Sequence, residues 1–447
     1  MKSPFASLKR LTPGTKVLFA SVPADGHFNP LTGLARYLAD RGCDVRWYTS
    51  VHYAPKLRSL GIPHYPLHKA LDLAGGEQMA ELFPAREKER TQLKKLVFDL
   101  IHVFTLRAPE YFEDIEAIRK DFAFEAMVCD VTFGAIPFVT DKMRIPVFAM
   151  GIIPLTETSR DLPPAGLGLT PSGSFLGRRR QDLLRFVADN ILFAKPNKVL
   201  RNLLHRHGIS APGSNIFDIM TRKATLVFQS GTPGFEYRRT DLGRNIRFVG
   251  ALLPHRHDDV RTPWFDERLN RYEKVVLVTQ GTVEKDIEKL LVPVLTAFQN
   301  SEYLVVATTG GSGTHELRDR FPAANLIIED FIPFGDVMPY ADVYVSNGGY
   351  GGVMLGLEHA LPMVVAGVHE GKNEINARIG YFGLGINLRT ETPNPVEIRK
   401  AVERVLEEES YAANVRALSD EFNGYPTLAL CESHMAEIIG AQAPVTA

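Results

Sequence analysis

This sequence has few cysteines, no excess of basic residues and no long apolar run. Its three cysteines, Cys43, Cys129 and Cys431, are an odd number scattered along the chain and give no disulfide framework. No uninterrupted apolar run approaches the ~20 residues that a membrane-spanning helix needs. The formal net charge of −1 provides no basic surface to neutralise phosphates, which argues against a nucleic-acid partner. These absences predict a soluble, cytoplasmic protein without an integral membrane segment.

The apolar residues that are present come in short runs that alternate with helical patterns, which is typical of βαβ units around a parallel sheet. This alternation occurs twice in the 447 residues, so we expect an α/β chain with two doubly wound domains. A helix is expected from about residue 29 to 41, where Gly42 ends it. Strands are predicted at residues 16–22, 44–49, 126–130 and 146–149 in the first half, and at 274–279, 303–307, 325–328, 342–346 and 362–366 in the second.

A polar stretch bounded by prolines, residues 254–263, separates the two halves and is predicted to be the interdomain linker. The predicted domains are therefore residues 1–253 and 264–447, with the last helix of the second returning to the first. Two insertions, at about residues 70–107 and 155–222, interrupt the alternation of the first half. Because ligands bind outside the carboxyl ends of parallel strands, these insertions are candidates for an acceptor pocket.

A glycine-rich turn follows the predicted strand 342–346 and precedes a helical pattern. A strand, a glycine turn and a helix N-terminus in this order direct unpaired N–H groups and the positive end of the helix dipole at one point. The sequence therefore predicts a diphosphate cradle, and a tight turn without a ligand is the alternative. The residues of the predicted cradle are Asn347, Gly348, Gly349, Tyr350, Gly351 and Gly352.

Two residues of the first half have the side chains of a general base and its partner. His27 follows the first strand, where a doubly wound sheet usually meets its ligand, and its unperturbed pKa lies near neutrality. Asp130 ends the strand 126–130 and can orient an imidazole and stabilise its cation. The alternatives are that His27 only caps the following helix and that Asp130 is only an N-cap.

These motifs together resemble the GT-B sugar-nucleotide-dependent glycosyltransferases, specifically the UDP-glycosyltransferase and macrolide-glycosyltransferase family. The resemblance covers nearly the whole chain and implies GT-B architecture, with two Rossmann-like domains facing a central cleft. It makes His27, in Gly26-His27-Phe28-Asn29-Pro30, the base and Asp130 its orienting acid. The implied reaction is a single inverting displacement that transfers a hexose from a UDP- or dTDP-sugar and needs neither a metal nor another cofactor.

The resemblance also assigns donor-binding residues in the second half. Gly281 and Thr282 resemble the family's strand-end loop near the diphosphate, and Phe331 and Pro333 resemble the segment that stacks the base. A buried core side chain is the alternative for Phe331. The chain departs from the family at Asn347, where a histidine is usual, at Leu355, where the ribose-binding glutamate falls, and at the sugar-binding pair. Around that pair, Glu370, Lys372 and Glu374 are the candidate donor contacts.

We therefore expect a small, largely apolar hydroxylated acceptor. The acceptor class depends on the resemblance and on aromatic residues that also suit an ordinary core, namely Phe98, Phe104, Phe112, Phe138 and Phe175. Two further hypotheses stay open. One is a non-catalytic partner protein of the same fold that activates another enzyme. The other is a sugar-nucleotide epimerase or hydrolase, which requires further acid and base groups.

Overall fold

The computed structural model describes residues 8–74, 81–255, 263–281 and 284–442. Most of the predicted linker and the predicted donor residue Thr282 lie outside these residues. Two parallel sheets are formed, and their central strands are buried on both faces, which explains why these strands appear in the sequence as short continuous apolar runs. The prediction of an α/β chain with two doubly wound domains is confirmed.

The first sheet has the strand order β3-β2-β1-β4-β5-β6-β7, with every neighbouring pair parallel. Its strands are β1 Lys16–Ala20, β2 Asp44–Thr49, β3 His64–Pro66, β4 Ala126–Asp130, β5 Val147–Gly151, β6 Leu226–Ser230 and β7 Ile246–Gly250. The helices of this half are α1 Asp25–Asp40, α2 Ala54–Ser59, α3 Pro84–Glu87, α4 Gln92–Asp99, α5 Ala108–Asp121, α6 Ile136–Phe138, α7 Phe175–Val187, α8 Ala194–Arg206 and α9 Ile219–Lys223. Three π-helical turns extend α4, α6 and α7, at Leu100–Thr105, Val139–Met143 and Ala188–Leu192.

The second sheet has the order β10-β9-β8-β11-β12-β13, again with parallel neighbours. Its strands are β8 Lys274–Thr279, β9 Tyr303–Thr308, β10 Leu326–Glu329, β11 Val343–Ser346, β12 Met363–Val365 and β13 Gly385–Asn387. The helices of the second half are α10 Leu291–Phe298, α11 Thr314–Arg320, α12 Phe334–Val337, α13 Tyr350–Glu358, α14 Lys372–Tyr381, α15 Pro395–Glu407, α16 Glu409–Asn423 and α17 Thr427–Gln442.

The last helix, α17, packs on the first domain. Cys431 and Met435 are fully buried in the same apolar cluster as Phe19 and Phe28. Glu432 accepts hydrogen bonds from the Tyr37 hydroxyl group at 3.0 Å and from the Leu11 N–H at 3.2 Å. The chain thus crosses back from the second domain, and α17 links the two domains a second time.

Helix α1 begins earlier than its sequence pattern predicts. It was expected from about residue 29, but it begins at Asp25, so His27 lies in its first turn rather than in the preceding loop. The N–H groups of His27 and Phe28 both donate to the Ala24 carbonyl oxygen at 2.9 Å. Pro30 lies inside the helix without ending it. In the described residues, no helix is long and apolar enough to cross a membrane.

Candidate active site

The candidate base pair and the glycine turn lie at the two places where the strand order reverses. In the first sheet this is between β1 and β4, and in the second between β8 and β11. The loops that follow neighbouring strands diverge at such a point and leave a crevice at the carboxyl edge of the sheet. His27 lies in the first turn of α1, just after β1, and Asp130 is the last residue of β4; the loops after β8 and β11 carry Gly281 and the glycine turn.

His27 and Asp130 are in direct contact. The Nδ1 atom of His27 lies 3.0 Å from the Oδ1 atom of Asp130, and the His27 side chain is 22% exposed whereas that of Asp130 is fully buried. The other carboxylate oxygen of Asp130 accepts the Val22 N–H at 2.9 Å. The structure thus brings together the two residues that were predicted to form a base and its orienting acid.

The electrostatics of Asp130 favour its ionised form. Burial alone raises the pKa of this carboxyl group, but the attraction to His27 and the hydrogen bonds from His27, Thr132 and Val22 lower it, and the net pKa is below its ordinary value. Because an ionised Asp130 accepts a hydrogen bond, it favours the tautomer of the neutral imidazole in which Nδ1 carries the proton and Nε2 the lone pair. This tautomer is the one that can take a proton from a hydroxyl group.

Thr132 belongs to this group of residues and was not predicted from the sequence. Its hydroxyl group donates to Asp130 Oδ1 at 2.5 Å and lies 3.1 Å from His27 Nδ1, and its N–H donates to Asp130 Oδ1 at 3.0 Å. The sequence did contain one signal for Thr132: a small hydroxylated side chain two residues after an aspartate that ends a strand. We describe Thr132 as a positioning residue because it contacts both members of the pair.

A small cavity adjoins Thr132 and has mostly apolar walls. It is lined by Val22, Pro23, Leu73, Val103, Phe104, Tyr111, Thr132 and Gly134. Leu73, Val103 and Phe104 come from the first predicted insertion. Of the aromatic residues considered for an acceptor pocket, Phe104 alone lines this cavity. Phe112 and Phe138 are buried in the core, Phe98 lines a different cavity, and Phe175 is exposed.

The glycine turn in the second domain leads directly into helix α13. Gly349 is the residue before the helix, and the first intrahelical bond runs from the Val353 N–H to the Gly349 carbonyl oxygen at 3.0 Å. The N–H groups of Tyr350, Gly351 and Gly352 precede that bond, as the cradle prediction requires. Gly348 has a φ of +85°, and a Cβ atom there would lie 1.8 Å from the Asn376 side-chain oxygen, so glycine is needed at this position.

Asn347 holds the loops of the second sheet together. Its amide nitrogen donates to the Gln280 carbonyl oxygen in the loop after β8, and its amide oxygen accepts the Gly349 N–H at 3.3 Å. The Asn347 amide nitrogen, which belongs to the predicted diphosphate cradle, is therefore already engaged by the Gln280 carbonyl oxygen. Gln280 was not predicted; its side-chain oxygen is buried and has no hydrogen-bond partner in the part of the chain that the structure describes.

Phe331 lies on the surface beside the donor loops. Its side chain is 68% exposed, so it is not the core residue that was the alternative. A Cβ atom on Gly311, in the loop after β9, would lie 3.6 Å from the Phe331 ring. Pro333 is exposed and stands immediately before helix α12. The ring therefore has a free face near the carboxyl edge of the sheet, where a planar base can stack.

The candidate sugar contacts fall into two groups. Glu370 and Lys372 follow β12 and form an ion pair at 2.7 Å, with the Glu370 carboxylate 59% exposed. Glu374 is turned toward the first domain instead. Its Oε1 atom accepts the N–H groups of Gly166 and Gly168, each at 2.8 Å, and its Oε2 atom pairs with Arg378 at 3.2 Å. Of the two candidate carboxylates, Glu370 is therefore the one that remains exposed.

The Tyr350 side chain also contacts the first domain. Its hydroxyl group donates to the Ser230 carbonyl oxygen at 2.7 Å and accepts a hydrogen bond from Gln229 at 3.3 Å. Burial raises the pKa of this phenol. Tyr350 was predicted to bind the donor, and for its side chain this needs a correction. The side chain joins the two domains, because β6 ends beside α13. The backbone N–H of Tyr350 still lies at the start of α13, where a diphosphate can bind. No pattern in the local sequence indicates the interdomain contact of Glu374 or that of Tyr350.

Comparisons with known proteins identify the family of the chain. Residues 300–437 match the family model described as the C-terminal domain of erythromycin biosynthesis protein CIII-like proteins. The chain is 35% identical over 410 residues to 4'-demethylrebeccamycin synthase of Lentzea aerocolonigenes, which covers 92% of this chain and 96% of that protein. It is 29% identical over 443 residues to UDP-glycosyltransferase 2 of Phaeomoniella chlamydospora, with coverage of 95% and 96%.

Solved structures share the fold at lower identity. The calicheamicin glycosyltransferase CalG4 aligns with a TM-score of 0.73 and 20% identity over 97% of this chain and 100% of that chain. The glycosyltransferase VinC, solved in complex with DTDP, aligns with a TM-score of 0.67 and 14% identity over 96% and 100%. The chain therefore belongs to the GT-B glycosyltransferase family that its motifs resemble, and it is a glycosyltransferase.

Proposed function

We propose that this enzyme is an inverting glycosyltransferase that moves a hexose from a UDP- or dTDP-sugar to a hydroxyl group of a small, largely apolar acceptor. The observation that carries the proposal is the 3.0 Å contact between His27 Nδ1 and the fully buried Asp130 carboxylate. A non-catalytic binding protein has no need of a base oriented in this way. The reaction needs no metal and no other cofactor, and it takes place in the cytoplasm without a nucleic-acid partner.

The acceptor half of the reaction uses His27 as the general base. With Nδ1–H held by Asp130, Nε2 accepts the proton of the acceptor hydroxyl group as its oxygen attacks the anomeric carbon. Asp130 stabilises the imidazolium ion that forms. The new bond forms on the face opposite the leaving group, so the anomeric configuration inverts. The apolar cavity next to Thr132 supports a hydroxylated acceptor with an apolar body.

The donor half stabilises the charge that develops as the bond between the anomeric carbon and the phosphate oxygen breaks. The nucleoside diphosphate then leaves with an additional negative charge. The N–H groups of Tyr350, Gly351 and Gly352 and the positive end of the α13 dipole are preorganised for that charge. Phe331 stacks on the base, and the loop containing Gly281, beside Asn347, meets the diphosphate. The exposed carboxylate of Glu370 and the ammonium group of Lys372 contact the sugar or its phosphate.

The donor nucleotide is uridine or thymidine diphosphate on this proposal. The name of one relative specifies a UDP-glycosyltransferase, and VinC was solved with DTDP. The position of the family's ribose-binding glutamate is occupied here by Leu355, which packs against the apolar core of the second domain. An apolar side chain there removes a ribose hydrogen bond, which favours a deoxyribose donor such as a dTDP-sugar.

The acceptor is a natural product on this proposal. The relative that is 35% identical is named for the synthesis of 4'-demethylrebeccamycin, and the structural neighbours include a calicheamicin glycosyltransferase. These names support a natural-product acceptor, and within that class we propose a polyketide, terpenoid or phenolic compound that presents a free hydroxyl group. The acceptor itself must be found by testing such compounds as a panel.

The test combines nucleotide binding with transfer. We expect UDP or dTDP, but neither GDP nor NAD, to raise the unfolding temperature of the wild-type protein. His27→Ala should keep this nucleotide binding and lower transfer to the acceptor panel by about 10²- to 10⁴-fold. His205→Ala, which removes an exposed histidine of α8, is the control and should transfer as the wild type does. Wild-type transfer by His27→Ala would exclude His27 as the base.

A further inference from the structure

The outer face of helix α7 exposes several large apolar side chains. Five such residues, in α7 and the π-helical turn after it, are between 61% and 79% exposed. At 3.6 residues per turn, the four that lie in α7 fall within about 100° of arc, so they form one face. We call this face the apolar patch, and its residues are Phe175, Leu176, Leu183, Phe186 and Ile191.

The opposite side of α7 is fixed to the domain by polar contacts. Gln181 is buried, its side-chain oxygen accepts the Ser172 N–H at 2.6 Å, and its amide nitrogen donates to the Asp161 carbonyl oxygen at 3.2 Å. Arg185 donates to the Leu162 carbonyl oxygen and pairs with Asp182 at 2.5 Å. The helix cannot rotate its apolar face inward without breaking these bonds, so the patch belongs to the surface.

Positive charge accompanies the patch. Residues 174–207 contain eight Lys or Arg residues and two Asp residues, a formal net charge of +6 in a chain whose total is −1. Arg178, Arg179 and Arg180 are consecutive and exposed, and Arg179 lies 5.5 Å from the centre of the Phe175 ring. Within the described residues, no carboxylate pairs with Arg179 or Arg180. Guanidinium groups among exposed apolar side chains complement an anionic lipid surface.

A cavity of about 340 Å³ continues the patch at one end. Ile191 belongs to both. The other walls are apolar side chains, most of them from α4 and its π-helical turn, and the polar side chains of Glu89, Lys94, His102 and Lys195. The inner side of the same turn carries Val103 and Phe104, which line the small cavity beside Thr132. One short segment thus separates the patch side of the domain from the candidate acceptor site.

We propose that the apolar patch docks the enzyme on an anionic lipid bilayer. The apolar side chains enter the interface between headgroups and acyl chains, and Arg178, Arg179 and Arg180 contact lipid phosphates. Apolar acceptors partition into membranes, so docking places the acceptor-binding domain where they concentrate. The binding is peripheral and reversible, because it depends on one helix face and a few charges.

Vesicle co-sedimentation tests the proposal with the full chain. The wild type should bind vesicles of phosphatidylcholine with about one-third phosphatidylglycerol, and not vesicles of phosphatidylcholine alone. Phe186→Glu should weaken this binding at least about tenfold, and the triple change of Arg178, Arg179 and Arg180 to Gln on the order of a hundredfold. Raising the salt from about 0.1 M to about 0.5 M should also release the wild type.

Val396→Glu is the matched control, because Val396 is 62% exposed at the start of α15, a helix of the second domain. It should bind vesicles as the wild type does. Unchanged binding by Phe186→Glu, or no wild-type binding to the anionic vesicles at low salt, would overturn the proposal. A concentration-dependent dimer in sedimentation velocity that Phe186→Glu dissociates would also overturn it, since the patch would then belong to a second copy of the chain.

Discussion

Arg378 and Glu236 join the two domains through a buried ion pair. The guanidinium group of Arg378, in α14, donates to the Glu236 carboxylate at 2.6 Å, and both side chains are buried. Burial alone lowers the pKa of Arg378, but the charges of Glu236 and Glu374 and the electrostatic interaction with Tyr237 raise it above its ordinary value, so the cation persists. The same guanidinium group lies 4.3 Å from the centre of the Tyr237 ring. The relative position of the two half-sites depends on this contact.

Arg378→Met should destabilise the protein by about 3–5 kcal/mol, because it leaves the Glu236 carboxylate buried without its closest cation. The free energy of unfolding from urea titration measures the loss. Arg271→Met is the matched control: its partner Glu267 lies one helical turn away, both side chains are well exposed, and the expected loss is about 0.5 kcal/mol. Equal, small losses for the two variants would show that the interdomain pair contributes no more than a surface pair.

Glu374 ties the loop around Gly166 and Gly168 to helix α14, so its removal should free that loop. In Glu374→Ala, the N–H groups of Gly166 and Gly168 lose their acceptor, and their hydrogen exchange should accelerate by about tenfold or more. Hydrogen-exchange mass spectrometry of the peptide that contains both glycines measures this rate. Glu370→Ala should leave the rate unchanged, since Glu370 pairs with Lys372 instead. The same acceleration in both variants would mean that the loop is not held by Glu374.

The sequence was most informative where a residue's position in a strand determines its surroundings. Buried parallel strands such as β4 and β8 are continuous apolar runs, and both were predicted with their observed bounds. His27 and Asp130 are 103 residues apart, yet their positions after β1 and at the end of β4 predicted that they meet. Strands β3 and β13 have three residues each, too few to show a pattern. Strands β6 and β7 were also missed; β6 ends in the polar residues Gln229 and Ser230, and β7 contains the charged residue Arg247.

Local sequence patterns could not predict the contacts between the two domains. Glu374 and Lys372 are both charged residues near a predicted ligand loop, and both were predicted to be donor contacts. Their directions depend on how the loop of Gly166 and Gly168 approaches α14, which requires the assembled domains. Likewise, no feature of the sequence around Glu236 signals that Arg378 lies opposite. The arrangement within one sheet follows from strand order, whereas the contact between two sheets does not.

Asp114 should make stability depend on acid pH. Its carboxylate accepts the Tyr48 hydroxyl group at 2.7 Å and the N–H groups of residues 68–70 at 2.8 to 3.1 Å. Burial raises the pKa of Asp114, but these hydrogen bonds outweigh it and the net pKa is lowered. A lowered folded-state pKa adds stability above the unfolded value of about 3.9, and that stability is lost as the pH falls through the folded value.

Asp114→Asn should therefore cost about 2–3 kcal/mol at neutral pH, and its difference from the wild type should narrow as the pH falls from about 5 toward about 3. Urea unfolding at a series of pH values measures both quantities. Asp121→Asn, an exposed change at the end of the same helix, α5, should show neither effect. A difference that stays constant over this pH range would mean that the ionisation of Asp114 is not linked to folding.

Gly349→Val should separate the fold of the glycine turn from its binding function. Gly349 has φ −61° and ψ 134°, a conformation open to any residue, and the nearest atom to an added Cβ is the Asn347 side-chain oxygen at 3.7 Å. The variant should thus unfold at nearly the wild-type temperature. Its side chain nevertheless stands at the helix start, where a diphosphate must approach the backbone closely, so the Kd for UDP or dTDP in calorimetry should rise at least about tenfold.

Gly348→Val provides the contrast for this experiment. Its φ of +85° and the Asn376 oxygen at 1.8 Å from an added Cβ leave no room for a side chain, so this variant should lose stability as well as binding. The pair of glycines therefore distinguishes a ligand cradle from a turn that is merely tight. If Gly349→Val binds both nucleotides with the wild-type Kd, the N–H groups of α13 do not hold the leaving diphosphate, and the donor half of the proposed mechanism fails.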